Sequence, residues 1–95
     1  MLESEAFKYM TKLINLNLNQ NFLIDINNFT FQSMSLLNYL DLSENSISTV
    51  YKETFNGLIS LFSININQNY LTSLNDYTFS DFYEKSTIIL SNNQE

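Results

Sequence analysis

Cysteine and histidine are both missing from this chain. Their absence excludes disulfide staples, thiol chemistry, the usual zinc sites and any Ser-His-Asp arrangement. Proline is missing too, and Gly57 is the only glycine, so no glycine-rich loop can cradle a phosphate. With Gly and Pro so scarce, the abundant asparagines are expected to take the turn positions. Arginine is also absent: four lysines face ten acids, a formal charge of -6 spread along the chain. That balance argues against binding nucleic acid through its phosphates and fits a solvated acidic surface. No run of about 18 apolar residues exists to cross a bilayer, and the opening MLESEAFKYM is acidic and short of apolar residues for a signal peptide. The expectation is a soluble segment with no membrane contact of its own.

What the chain does have is enough apolar material for a core. It is 44% hydrophobic and 15% charged over 95 residues, the composition of one modest globular domain. The apolar rhythm is mixed. In LNYLDLSENSISTV, Leu37 to Val50, the step from Leu40 to Leu42 has a strand's period of two, whereas Ile47 to Val50 suits a turn or a short helical segment. Shifting the chain by 24 residues resolves the mixture. Leu16 then aligns with Leu40, Ile64 and Ile88, and Leu18 with Leu42, Ile66 and Leu90. An asparagine column runs through Asn21, Asn45, Asn69 and Asn93, a phenylalanine column through Phe7, Phe31, Phe55 and Phe79, and an apolar column through Met10, Met34, Leu58 and Phe82. Repetition at this period signals a solenoid whose units cover one another's hydrophobic faces.

Written out, LINLNLNQNFL, LNYLDLSENSI and LFSININQNYL each satisfy LxxLxLxxNxL with Ile replacing some Leu. The chain resembles the leucine-rich repeat family, in its 24-residue typical class. The resemblance spans the chain as one solenoid: a partial repeat over 1–12, complete repeats over 13–36, 37–60 and 61–84, and a partial repeat over 85–95. It implies a curved right-handed arc with short parallel strands on the concave face and irregular or short helical segments on the convex side. It also implies a non-enzymatic module that binds a protein partner, needs no cofactor, and belongs to a larger receptor-like or adhesion protein outside the cell or at its surface.

Physical chemistry assigns the columns. Leu16, Leu18, Leu40, Leu42, Ile64 and Ile66 share the inward face of their strands, because alternate side chains lie on one side. Asn15, Asn17 and Asn19, then Tyr39, Asp41 and Ser43, then Ser63, Asn65 and Asn67, then Thr87, Ile89 and Ser91 point outward. Asn21, Asn45, Asn69 and Asn93 should form a buried ladder, since a side chain that both donates and accepts can satisfy backbone groups where each repeat turns. The Phe column should pack beneath the convex side.

Chemistry beyond binding finds no support. Asp76 with Asp81, or Asp41 with Glu44, are the nearest approach to paired carboxylates, and neither pair has calcium-loop spacing or a neighbouring nucleophile motif. They are expected to be solvated surface acids. The candidate protein-binding residues are Asn17, Asn19, Phe22, Tyr39, Asp41, Glu44, Asn65, Asn67 and Tyr70, with the aromatics as anchors and the acids selecting a basic partner. Asn28-Phe29-Thr30 is an N-glycosylation acceptor pattern on the descending side of a repeat. Two other roles compete with partner binding. One is an architectural spacer with no ligand of its own, and the other a regulatory subunit positioning an enzyme. No atypical cap is recognisable at either end and Lys85 stands where Leu is expected, so Leu2, Met10, Ile88 and Leu90 are expected to be open to a neighbouring repeat or to self-association.

Overall fold

The computed structural model describes residues 5–71 and the strand Thr87–Ile89. Four short strands, β1 (Asn15–Asn17), β2 (Tyr39–Asp41), β3 (Ser63–Asn65) and β4 (Thr87–Ile89), form one parallel sheet in chain order. Asn15 pairs with Tyr39, Tyr39 with Ser63 and Ser63 with Thr87, so the 24-residue step of the sequence is also the step of the sheet. The strands are short because the chain must turn back within each repeat. Backbone pairing nonetheless continues past their ends: Leu18 N–H donates to the Asp41 carbonyl at 2.8 Å, Leu42 N–H to Asn65 at 2.7 Å, and Glu44 N–H to Asn67 at 2.9 Å.

The core lies behind the sheet. Leu40, Leu42, Ile64 and Ile66 point into it from the strand regions, and Leu37, Leu61, Ile47, Leu71, Met34 and Leu58 close it from the flanking turns. Leu16, Leu18 and Leu23 of the first repeat are only partly buried against this cluster, and Met10 is exposed, because β1 is the edge of the sheet. On the side away from the strands Phe7, Phe31 and Phe55 stack as a column. Their ring centroids lie 5.9 and 6.3 Å apart, with interplanar angles of 15° and 4°. The two stacked contacts thus seal the gaps between the repeats of Phe7, Phe31 and Phe55. Phe79 and Phe82 lie outside the described residues.

The return path opposite the sheet is made of turns and a 3₁₀ helix at Lys52–Phe55. Buried hydroxyls fasten it: Thr54 Oγ1 accepts from Tyr51 N–H at 2.9 Å, and one repeat earlier Thr30 Oγ1 donates to the Asn27 carbonyl at 2.6 Å. Gly57 follows with φ 97°, and a Cβ there would lie 2.6 Å from Gln32 Cα and against the Gln32 carbonyl oxygen. The lone glycine sits where two repeats' backbones touch, and no other residue meets both demands.

The left-handed positions depart from expectation. They are held by Gln20, Glu44 and Gln68, with φ of 57°, 56° and 57°, and by Phe29 at 67°, rather than by asparagine. Gln20, Glu44 and Gln68 each precede a ladder asparagine. The asparagine side chain holds the turn from the next position, which lets an ordinary residue take a conformation that costs it about 1–2 kcal/mol.

Candidate protein-binding face

Asn45 and Asn69 sit at the turns after β2 and β3, and the amide of each reaches backbone in two repeats. Asn45 Nδ2 donates to the Leu18, Leu42 and Ser43 carbonyls at 3.0, 3.0 and 3.2 Å. Its Oδ1 accepts from Asn21 N–H at 3.1 Å and Leu23 N–H at 3.2 Å. Asn69 repeats the arrangement, donating to Leu42, Ile66 and Asn67 and accepting from Ile47 N–H at 2.9 Å. Asn45 and Asn69 are buried, but Asn21 is exposed, contrary to the expectation of a fully buried ladder. It donates to the Leu18 and Asn19 carbonyls of its own repeat and stands in the turn after the edge strand β1, where among the described residues no earlier strand covers it. Asn93 lies outside the described residues.

On the outer face of the sheet, Asn17, Asp41 and Asn65 carry a role that alternation alone does not reveal. Their side-chain oxygens accept the backbone N–H two residues on: Asn19 to Asn17 at 2.9 Å, Ser43 to Asp41 at 2.9 Å, and Asn67 to Asn65 at 3.0 Å. An Asx turn therefore ends each of β1, β2 and β3. The signal was present as an Asn or Asp at the same place in three repeats. Ser43, expected to point outward, is only 7% exposed, because its hydroxyl folds back to donate to Asp41 Oδ1 at 2.6 Å. Asn19 and Asn67, at the equivalent position, are partly buried.

Tyr39 opens β2 and is 46% exposed, and Phe62, just before β3, is 50% exposed. Their rings meet edge to face, 6.0 Å between centroids at 81°. Phe62 was missed because only alternate residues within the strand were counted as outward, whereas the residue preceding the strand also emerges at the surface. Beside this pair lies a shallow depression of about 180 Å³ lined by Asn15, Asn17, Tyr39, Asp41, Ser63 and Asn65 together with Leu16 and Leu40. The remaining candidates form a second strip past the strand ends. Gln20 Nε2 donates to Glu44 Oε2 at 2.7 Å, Phe22 is 93% exposed, and Tyr70 is exposed as well. The structure thus separates the aromatic candidates: Tyr39 is joined by Phe62 at one end of the strands, while Phe22 and Tyr70 lie beyond the other.

Asn28 is exposed on the return path, next to the strained Phe29, and the Thr30 of its acceptor pattern is buried. Among the described residues no helix is long and apolar enough to cross a membrane, and no group of three or more His, Cys, Asp or Glu gathers to hold a metal. Asp76, Asp81 and Lys85 lie outside the described residues.

Strands 24 residues apart, an amide ladder that spans repeats and a stacked phenylalanine column define a parallel-stranded solenoid. The family model for the leucine rich repeat matches residues 1–47, 11–71 and 38–94. The chain belongs to the leucine-rich repeat family, whose members are typically non-enzymatic protein-interaction modules. Among solved structures it is similar to a chain of the Toll–Spatzle complex, described as a molecular hub in Drosophila development and innate immunity, in its glycosylated form. The TM-score is 0.87 at 24% identity, over 98% of this chain and 14% of that one. At that identity the likeness establishes the fold. No curated protein matches the chain.

Proposed function

We propose that this chain is a non-enzymatic protein-binding segment of a larger receptor-like or adhesion protein exposed outside the cell, and that it meets its partner through the outer face of the sheet. The observation that carries this is the exposed Tyr39–Phe62 pair. Two large rings held against each other on an open sheet expose apolar area at little further entropic cost, which is the character of an interface anchor. The family supports the class of function, and the Toll–Spatzle neighbour, itself a structure of a complex, is consistent with a protein partner. Asn28 is proposed as a glycosylation site, since its exposed place on the return path would keep a glycan clear of the sheet face.

The test compares retention of extracellular proteins from the source organism on the immobilised chain and on a Tyr39→Ala, Phe62→Ala variant shown by circular dichroism to be folded. Proteins held by the first should fall about tenfold on the second, the loss of one modest hot spot. Equal retention would move the site to the Phe22 and Tyr70 strip or the return path. No retention by either would favour a spacer.

A further inference from the structure

We infer that the depression beside Tyr39 is a subsite for a single arginine side chain of the protein partner. This rests on the sheet face being the binding surface. The lining is unusual in its division of labour. Asn17 and Asn65, on the strands either side, both commit a side-chain oxygen to an Asx turn, and only the middle position of that row is a carboxylate, Asp41. The Asp41 Oδ1 atom takes both the N–H and the hydroxyl of Ser43. Those two hydrogen bonds to one oxygen orient the carboxylate, and among the described residues Oδ2 receives no hydrogen bond. A fixed carboxylate with one oxygen left over is an acceptor waiting for a donor from outside.

Two residues earlier on the same face stands the Tyr39 ring, set by its edge-to-face contact with Phe62. A cation placed in the depression lies near both the ring and the carboxylate. A planar guanidinium suits that combination better than an ammonium, because it stacks on an aromatic face while donating in its own plane. No lysine stands among the lining residues, and the chain's net charge of -6 attracts cations at long range. Asn15 and Ser63 complete a rim that is polar and uncharged, so nothing on it repels such a group.

The neighbouring repeats supply the right variant. Asp41→Asn removes the charge and keeps an oxygen for the turn, as Asn17 and Asn65 already do at the same position. The experiment is a two-dimensional NMR titration of the chain with acetyl-Gly-Arg-Gly-amide and with its citrulline counterpart, which has the same shape without the charge. The arginine peptide should shift Tyr39, Asp41 and Asn65, with binding about three- to fivefold weaker for the citrulline peptide and, separately, for Asp41→Asn. Equal response to the two peptides, or indifference to Asp41→Asn in a protein whose other resonances are unmoved, would overturn the subsite. If those residues stay silent while the Tyr39→Ala, Phe62→Ala protein still loses its partners, the arginine subsite falls and the protein-binding face stands.

Discussion

Replacing Asn45 by leucine should cost about 3–5 kcal/mol, a large share of the about 5–15 kcal/mol that a small domain holds in all. Leucine fills similar space but can neither donate nor accept. It would strand the Asn21 and Leu23 N–H groups and withdraw a donor from the Leu18, Leu42 and Ser43 carbonyls. Each buried group so left costs about 1–3 kcal/mol, and the sum falls short of additive because a carbonyl can keep a second partner and part of the site can admit water. Asn45→Asp should restore the two accepted bonds and lose the donated ones, placing it between. Asn21→Leu is the internal control. Its amide is exposed and bonds only its own repeat, so its loss should cost less than about 1 kcal/mol. Urea unfolding of the three variants beside the wild type measures this order, and equal costs at positions 21 and 45 would contradict it.

The second large effect is expected at Phe31. Its ring is fully buried and has a stacked ring on each side, Phe7 and Phe55. Phe31→Ala should therefore cost about 3–5 kcal/mol from lost transfer energy and the cavity left between repeats. Each lost aromatic contact adds about 0.5–1.5 kcal/mol within that range. Phe7→Ala removes a ring with one described stacking neighbour and some exposure, so its cost should be clearly smaller. Chemical denaturation again gives the comparison. An equal loss at both positions would mean that the column is three separate buried rings rather than a continuous seam.

Much of the fold was legible because the 24-residue period is written in residues that the core cannot do without. The columns of Leu40, Ile64, Asn45 and Phe31 each answer a burial or hydrogen-bonding demand that recurs once per repeat, so the sequence must repeat where the demand does. What stayed hidden depends on geometry with no compositional signature. Gln20, Glu44 and Gln68 adopt left-handed backbone because the asparagine after each one clamps the turn, and nothing about glutamine or glutamate announces that. Ser43 is drawn inward by a carboxylate two residues away, although strand alternation assigns it to solvent. Phe62 emerges because the chain is still entering β3 when it passes, a position outside the alternating rule. Of the site, its place on the sheet was legible and its internal bonding was not. Tyr39 and Asp41 lie on the outer face of the sheet, as alternation predicts, whereas the turn-closing bonds that Asn17 and Asn65 make on that same face follow from geometry that alternation does not describe.

Native-state hydrogen exchange on the whole chain tests most directly whether each repeat is held by the repeats on both sides of it. The slowest amides should be those of Leu42, Glu44 and Ile47, which donate to the Asn65 carbonyl, the Asn67 carbonyl and Asn69 Oδ1 of the next repeat from within the central unit. Leu18 and Gln20, which make the same kind of bond from the edge repeat, should exchange faster, and Lys8 and Met10, bonded only within a local turn, faster still. Uniform protection along the chain, or an Ile47 amide that exchanges like one in an open loop, would contradict it.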